Sequence, residues 1–313
     1  EAFTQHLRGS GFQDQDEWNQ VIGLLETDQR SALADCRTRI NQTETSHLAI
    51  SCLTALEALE QPPERRWAVR SSATTEDATH ASSAGLYRTH LGLALPEVES
   101  AIKDLWASLW EVRVVSYLTQ LGQEGVPRMA IVIQPMIDAQ AAGVAYSIHP
   151  VTRRRSQVMV NAVPGLAAPL VDGTVTPDQY VVEISPEGKP VQICTRHLAR
   201  KTNCLLVSNT GLRRAPLNQG VQRQSSLTDS QLLSLAHSAK NIEHALGQPS
   251  DIEWAFDSRQ IWILQARPIT AIQLTADLTN DDCEWSRTNF KETLPELPSL
   301  LSLSFLEQFM DRY

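Results

Sequence analysis

Two short apolar runs joined by a polar link are the feature that most constrains the fold of this chain. Residues 251–268 read DIEWAFDSRQIWILQARP, in which the runs IEWAF and IWIL flank DSRQ. Both runs are rich in Ile, Trp and Phe and alternate with a period of two, a pattern that is typical of β-strands. The stretch therefore predicts a β-hairpin, although its loop lacks the glycine that three-residue hairpin loops favour.

A three-residue loop over residues 258–260 would determine which side chains face each other across this hairpin. Residues that are paired in this way have Cβ atoms about 5 Å apart, so their polar groups can act together. Trp254, Trp262 and Leu264 are predicted on the opposite face. The predicted pairs are Asp257 with Ile261, Glu253 with Gln265, and Asp251 with Arg267.

The last two of these pairs share one face and combine three kinds of functional group. The oxygen atoms of the Glu253 carboxylate and the Gln265 amide suit Mg²⁺, and the Arg267 guanidinium suits phosphate through its two parallel N–H groups. One interpretation is a site for nucleotide and metal. The alternative is a half-exposed hairpin whose solvent face is polar, and the hairpin alone does not separate the two.

Composition limits the class of protein. The chain has 313 residues, enough for one large domain or two to three smaller ones, with 42% hydrophobic and 20% charged residues, close to globular averages. Its net charge of −9 disfavours nonspecific binding to nucleic acid or to anionic membranes. Five cysteines without a CxxC motif indicate free thiols in a reducing compartment, so a cytoplasmic location is expected. The chain contains no run of 18 apolar residues, so no membrane-spanning helix is predicted.

A loop of small hydroxyl residues is a second candidate site. The strand WAVR at residues 67–70 leads into SSATTED, and the small residues continue to Gly85. Small side chains let backbone N–H groups approach phosphate oxygens, and Ser or Thr hydroxyls add donors. Neither GxxxxGK[ST] nor GxGxxG occurs in the chain. The alternative interpretation is an ordinary polar turn, which has the same composition.

Hydrophobic periodicity divides most of the remaining chain into helices and strands. A helix is predicted over residues 227–247, with Thr228 as its N-cap and Gly247 as its end. One long amphipathic helix is predicted over residues 96–122, and helical structure over residues 13–60. Strands are predicted at residues 67–70, 86–93, 129–136, 142–148, 157–162 and 178–184, the third of them buried and ending at a hinge.

Four motifs follow one another along the chain: VRSSATTED with SSAGLYRTHL, IVIQPMIDAQAAGVAYSIHP, NAVPGLAAPLVDGTVTPDQY, and DIEWAFDSRQIWILQARPIT. Together they resemble the ATP-binding domain shared by phosphoenolpyruvate synthase, pyruvate phosphate dikinase and rifampin phosphotransferase. The resemblance is strong over residues 67–270 and weak in the flanks. It implies an α+β fold of the ATP-grasp type, in which two α/β lobes with antiparallel sheets hold ATP between them.

Transferred residue by residue, the resemblance implies a set of contacts to the phosphates and the metal of Mg·ATP. Arg70 and Arg267 would contact the phosphates and are the predicted catalytic residues. Glu253 and Gln265 would hold Mg²⁺. The loop through Gly85 would cover the phosphates. The predicted ATP-binding residues on this side are Arg70, Ser71, Ser72, Gly85, Glu253, Gln265 and Arg267.

On the adenine side the resemblance implies a hinge. It would consist of Gln134, Pro135 and Met136, and Met136 and Ile137 would offer backbone groups to the base. The implied chemistry is ATP- and Mg-dependent phosphoryl transfer, in which the protein mainly positions groups and offsets charge. In the family, ATP phosphorylates a histidine on a separate swivelling domain, and a third domain passes the phosphate to an acceptor.

Neither of those two domains has a recognisable motif in this chain. We therefore expect the chain to be the ATP-binding part of a larger enzyme and to be inactive alone. Residues 1–66 would be the helical remainder of the N-terminal lobe, 67–271 the nucleotide-binding core, and 272–313 a linker toward a further domain.

The chain departs from the family pattern at three places. No Gly-Gly-Lys segment is present, SSAG stands where the family has SFAG, and GLAAPL stands where GLGE is usual. Two alternatives therefore stay open: a relative that phosphorylates an antibiotic or another small acceptor, and a degenerate module that binds nucleotide weakly or serves as a scaffold.

Overall fold

Helices and antiparallel sheets occur in nearly equal proportion, at 33% and 34% of the described residues. This composition confirms the predicted α+β fold class and is consistent with the ATP-grasp type. The sheets form two lobes, named here the N-lobe (residues up to 135) and the C-lobe (residues from 141). The computed structural model describes residues 2–10, 26–45, 47–58, 64–74, 86–120, 122 and 128–269.

The N-lobe contains a three-stranded antiparallel sheet with helices on one face. Its strand order is β2-β1-β3, so β1 is the central strand. The strands are β1 (Trp67–Ala73), β2 (Thr89–Leu93) and β3 (Met129–Pro135), and the helices are α1 (Ala2–Gly9), α2 (Glu26–Gln42), α3 (His47–Glu57), α4 (Val98–Ser108) and α5 (Val112–Gln120).

The C-lobe contains a six-stranded antiparallel sheet in the order β11-β10-β4-β5-β6-β7. One long helix, α7, packs across it, and a short helix, α6, follows β5. The strands are β4 (Ala141–Tyr146), β5 (Gln157–Pro164), β6 (Asp178–Ile184), β7 (Pro190–His197), β10 (Ser250–Phe256) and β11 (Ile261–Pro268), and the helices are α6 (Ala168–Val171) and α7 (Asp229–Leu246).

A separate two-stranded hairpin extends from the C-lobe onto the N-lobe. It consists of β8 (Asn203–Ser208) and β9 (Gly211–Pro216). Gly92 of β2 has a left-handed φ of 74°, and a Cβ at this position would lie 2.8 Å from the Leu212 side chain. Glycine is favoured here, because the left-handed backbone angle strains other residues and a Cβ would also require Leu212 to move.

The prediction of a single helix over residues 96–122 is wrong. A 3₁₀ turn (Leu95–Glu97) precedes α4, and a second break separates α4 from α5. At this break the N–H groups of Trp110 and Glu111 donate to carbonyls three residues earlier, at 3.0 and 3.1 Å. Leu109 and Trp110 are both fully buried. The hydrogen bonds at this break span three residues instead of four, which tightens the last turn and ends α4.

Strand β3 is also less buried than predicted. It lies at the edge of the N-lobe sheet, and 39% of the Val132 surface is exposed. Its apolar run therefore reflects a strand with one face on the lobe core and the other partly open, rather than a strand that is covered on both faces.

Helix α7 begins and ends where the sequence predicts. The Thr228 hydroxyl accepts from the Gln231 N–H at 3.3 Å, and the Gln231 amide oxygen accepts from the Thr228 N–H at 2.8 Å, which completes a capping box. At the other end Gly247 adopts a left-handed φ of 71°, as C-terminal glycines do.

Replacing Thr228 with Ala should therefore destabilise the protein by about 1 kcal/mol, because the Gln231 N–H loses its acceptor. Urea unfolding followed by circular dichroism measures the change. Thr210→Ala, on the exposed turn between β8 and β9, is the control and should change the free energy of unfolding by less than about 0.5 kcal/mol. Equal effects of the two substitutions would contradict a capping role.

Each lobe has its own apolar core. In the N-lobe, Trp67 and Val69 of β1 pack with Leu105 and Trp106 of α4. In the C-lobe, Trp254 of β10 is fully buried against the side of the sheet that carries α7. A third, smaller cluster is formed by the C-lobe and the segment before it, and contains Ala139, Ala142, Leu166 and Ala255, with Met136, Ile137 and Leu264 against it.

A buried ion pair ties the C-lobe sheet to the chain that carries the β8–β9 hairpin. The Asp178 side chain is fully buried, and one of its oxygens accepts from the Lys201 ammonium at 2.5 Å. The other oxygen accepts from the N–H and the hydroxyl of Ser226, at 2.9 and 2.7 Å. Lys201 also donates to the Gln224 carbonyl at 2.7 Å. Three separate segments therefore depend on one carboxylate.

The predicted domain boundaries at residues 66/67 and 271/272 stay predictions, since residues 270–313 lie outside the described part of the chain. Among the helices that the structure describes, none has the length and apolarity needed to cross a membrane.

Candidate functional site

The β10–β11 hairpin pairs its polar residues as predicted at the base and not at the turn. Asp251 lies opposite Arg267 and Glu253 opposite Gln265, but the register then shifts by one residue, so that Trp254 pairs with Ile263. Leu264 is the extra residue, and the irregularity is a β-bulge. The predicted pairing of Asp257 with Ile261 is therefore wrong.

The reason for the shift is the turn. Ile261 pairs with Phe256, and four residues from Asp257 to Gln260 form the connection. The Asp257 carboxylate accepts from the N–H groups of Arg259 and Gln260, at 2.6 and 2.8 Å. Its other oxygen accepts from the Trp262 indole at 2.8 Å. Because the aspartate closes the turn itself, a loop glycine is unnecessary.

The bulge also corrects the prediction for the opposite face. Trp254 does lie on that face, in the C-lobe core. Trp262 pairs instead with Ala255, and Leu264 lines the same cavity as Glu253. Leu264 and Trp262 thus share the face that carries the polar pairs, because one extra residue reverses the alternation of the strand beyond it.

Arg70 of β1 reaches from the N-lobe to the Glu253–Gln265 pair of the C-lobe. Its Nη2 atom donates to Glu253 Oε2 at 2.5 Å and to Gln265 Oε1 at 2.6 Å. The side chains of Arg70 and Glu253 are only 18% and 21% exposed. One N–H-bearing nitrogen therefore sits between a carboxylate oxygen and an amide oxygen that come from adjacent strands.

These two oxygens fit a cation. They converge on a single positively charged atom, and carboxylate and amide oxygens are ligands that Mg²⁺ accepts. Asp251 adds a carboxylate on the same face, two residues before Glu253. Among the described residues no group of three or more His, Cys, Asp or Glu side chains surrounds a common point, so a protein-only cage is not formed. The arrangement suits Mg²⁺ that takes further ligands from a substrate.

Arg267 forms a forked ion pair with Asp251 rather than projecting freely. Its Nε and Nη2 atoms both donate to the Asp251 carboxylate, at 3.1 to 3.2 Å. Burial raises the pKa of the Asp251 carboxyl above its usual range, the Arg267 guanidinium opposes that rise, and the negative Glu253 adds to it. The pair keeps Arg267 on the face that carries Glu253 and Gln265.

A cavity of about 440 Å³ lies between the lobes beside these groups. Ligand sites typically have volumes of about 300 to 1,000 Å³ and apolar walls with a few polar groups. This cavity fits that description. Its polar lining includes Arg70 and Glu253, and its apolar lining includes Met136, Ile137, Leu166, Val171 and Leu264. A larger cavity of about 950 Å³ on the other side of residues 134–137 is lined by neither Arg70 nor Glu253.

The four predicted hinge residues all line the cavity, but they differ in their backbone roles. Gln134 and Pro135 are still part of β3 and pair with Ala68 and Trp67 of β1. The Met136 N–H donates to the Arg66 carbonyl at 2.8 Å, and the Ile137 carbonyl accepts from the Ala139 N–H at 2.9 Å. The turn between the lobes therefore begins at Met136, two residues later than predicted.

The predicted phosphate loop is only partly described. Ser71 and Ser72 lie within β1, which extends to Ala73, and not in a loop as predicted. The Ser71 hydroxyl donates to the Arg88 carbonyl at 3.4 Å, and neither serine lines the cavity. The strand continues because both residues pair with β3, opposite Ile131 and Ala130. Gly85 lies outside the described residues.

Thr89 and Leu166 are among the cavity residues that were not predicted. Thr89 of β2 pairs directly with Arg70 and lines the cavity beside it. Leu166 follows β5 and forms part of the opposite wall. A signal for Leu166 exists in the GLAAPL motif, which the resemblance aligns with a loop of the family. The pairing of Thr89 with Arg70 joins residues that are far apart in sequence, so no local pattern indicates it.

Comparison with known proteins shows which family this chain resembles. The family described as pyruvate phosphate dikinase, AMP/ATP-binding domain, matches residues 16–283. A probable phosphoenolpyruvate synthase from Pyrococcus horikoshii is 34% identical over 221 residues, which cover 66% of this chain and 26% of that protein. A rifampicin phosphotransferase from Streptomyces sviceus is 37% identical over 218 residues, covering 69% and 24%. An uncharacterized phosphotransferase from Bacillus subtilis is 35% identical over 210 residues, covering 66% and 25%.

The chain thus spans about a quarter of the length of these curated relatives.

Proposed function

Because the chain belongs to the family of pyruvate phosphate dikinase AMP/ATP-binding domains, we propose that it binds Mg·ATP between its lobes and delivers a phosphoryl group to a histidine on a separate domain. The observation that carries this proposal is the convergence of Arg70 from one lobe with Glu253 and Gln265 from the other, within 2.6 Å. A cationic donor and two metal-type oxygens at the edge of a cavity of nucleotide size form one polar end of the cleft.

Glu253 and Gln265 are the residues that would hold Mg²⁺. When bound, the ion neutralises phosphate charge as a phosphoryl group departs. The two side chains come from adjacent strands of a rigid sheet, so they fix the position of the site with little loss of conformational freedom. A second carboxylate, Asp251, lies on the same face but is engaged by Arg267.

Arg70 and Arg267 would contact the phosphates. Guanidinium groups bind phosphate through paired N–H donors and stay charged at all physiological pH values. The Asp251 fork orients Arg267 and leaves its remaining N–H groups for a ligand. Two arginines that approach from different lobes can align the phosphate chain for transfer, which is the main task of the protein in this chemistry.

The adenine would lie at the apolar end of the cavity. Leu166, Leu264 and Met136 provide apolar walls there. The Met136 N–H is already engaged by Arg66. The backbone groups left for the base are therefore the Met136 carbonyl and the Ile137 N–H, which narrows the predicted set of hinge contacts.

The group that accepts the phosphoryl group would lie on another domain of the enzyme. A histidine on a swivelling domain is the acceptor that the family resemblance implies, and pyruvate or an antibiotic would be the final one. The second candidate function is a module that binds nucleotide without turnover. The SSAG and GLAAPL segments, which depart from the family pattern within the chain, favour that alternative.

Calorimetric titration of the 313-residue chain with ATP, with and without Mg²⁺, tests the proposal. We expect a dissociation constant between about 1 μM and 1 mM in the presence of Mg²⁺, the usual range for enzyme substrates, and much weaker binding in EDTA. GTP under the same conditions is the control for the adenine pocket. Absence of binding with Mg²⁺, or equal binding in EDTA, would contradict the proposed site.

A further inference from the structure

Arg70 occupies the place between Glu253 and Gln265 that a metal ion would take. Its Nη2 atom lies 2.5 Å from the Glu253 carboxylate oxygen and 2.6 Å from the Gln265 amide oxygen. Both oxygens that face the cation site are therefore already engaged by a cationic donor. A metal ion and this guanidinium cannot both occupy the space between two oxygens held on adjacent strands.

We propose that Arg70 is a resident cation that a metal ion must displace, so that Mg²⁺ enters this site together with ATP and only weakly without it. The inference rests on the proposed function in that it takes Glu253 and Gln265 as the metal ligands. It adds an order to the events. The nucleotide phosphates attract Arg70 away from the two oxygens, and the vacated space accepts the metal.

The charges around the site support this order. Arg70 is balanced by Glu253, and Arg267 is balanced by Asp251 through a forked pair. These four groups have no net charge, so they do not attract a divalent ion from solution. Placing Mg²⁺ beside Arg70 without a counter-anion would bring like charges together, and that repulsion is strong in a partly buried site. Phosphates supply the missing negative charge to both cations.

The contact also joins the two lobes, because Arg70 is on β1 and its partners are on β10 and β11. In the metal-free chain it is the link that closes the polar end of the cleft. Exchange of Arg70 for a metal would therefore couple metal binding to a change in the contact between the lobes. Coupling of this kind is reciprocal, so the nucleotide and the metal should each strengthen the binding of the other.

The test uses Mn²⁺ alone as the probe, with the free ion measured by its electron paramagnetic resonance signal in the absence of nucleotide. Arg70→Ala should bind Mn²⁺ at least about tenfold more tightly than the unmodified chain, since the competing charged hydrogen bonds are gone. The same substitution should weaken Mg·ATP, because a phosphate contact is lost.

Arg196→Ala is the matched control. Arg196 also pairs with a carboxylate at 2.5 Å, that of Asp229, but on the far surface of the C-lobe. The substitution changes the net charge by the same amount, so it separates displacement of Arg70 from a general electrostatic effect. Its Mn²⁺ affinity should equal that of the unmodified chain.

Equal Mn²⁺ affinity of R70A and R196A would overturn the inference, even if the unmodified chain binds Mg·ATP as proposed. Tighter Mn²⁺ binding by R70A in a chain that does not bind Mg·ATP would support the exchange and refute the proposed function. Circular dichroism tests whether R70A is folded. If it is not, Arg70→Gln, which removes the charge and keeps a hydrogen-bonding side chain, is measured in its place with the same two criteria.

Discussion

Replacing Glu253 with Gln should weaken the binding of Mg·ATP by at least about a hundredfold. The substitution keeps the size of the side chain and removes the negative charge that faces the cation. A unit charge about 4 Å from another contributes about 4 kcal/mol at the effective dielectric of a protein surface, and each 1.4 kcal/mol is a factor of ten in affinity. Calorimetry with Mg·ATP measures the loss directly.

The same sheet offers a close control for this substitution. Glu183 of β6 lies opposite Gln157 of β5, and the Gln157 amide donates to the Glu183 carboxylate at 3.0 Å. This is also a cross-strand Glu–Gln pair, but no arginine bridges it from the N-lobe. Glu183→Gln should leave Mg·ATP affinity unchanged. A similar loss in both variants, or none in Glu253→Gln, would show that the carboxylate does not hold the metal.

Replacing Lys201 with Met should destabilise the protein by about 3 to 5 kcal/mol. The substitution leaves the fully buried Asp178 carboxylate without its counter-charge, and an uncompensated buried charge is among the most costly defects in a protein. Three segments meet at this carboxylate, so unfolding should remain a single transition. Its midpoint should move to a lower urea concentration. Urea unfolding monitored by tryptophan fluorescence measures it.

Two further variants separate charge from packing at this site. Asp178→Asn combined with Lys201→Met removes both charges and should recover part of the lost stability, because no ion is then buried alone. Arg196→Ala breaks an exposed ion pair and should cost less than about 1 kcal/mol. If Lys201→Met were as mild as Arg196→Ala, the buried pair would not be what holds these segments together.

The predicted pairing of Glu253 with Gln265 is confirmed although the three-residue loop behind it is wrong, because the longer turn and the one-residue bulge at Leu264 compensate each other. The bulge at Leu264 could not be predicted, since it depends on how the Asp257 carboxylate closes the turn. The helix caps Thr228 and Gly247 could be predicted, because capping is decided by residues that are close in sequence.

The bridge from Arg70 to Glu253 joins residues that are 183 positions apart. No local pattern indicates such a contact, and the resemblance to the family implied only that both residues touch the same ligand. The break between α4 and α5 was missed for a related reason. Leu109 and Trp110 suit a helix by composition, and nothing in the local sequence indicates the hydrogen bonds to carbonyls three residues earlier that end α4 there.

The bulge at Leu264 has a consequence for how this hairpin tolerates change. Because the register is reset between the turn and the polar pairs, Glu253 and Gln265 are aligned from the base of the hairpin, where Ser250 pairs with Pro268. Residues 258–260 lie beyond the bulge and are exposed. We therefore expect that a peptide tag inserted there, with Asp257 retained, leaves Glu253 opposite Gln265.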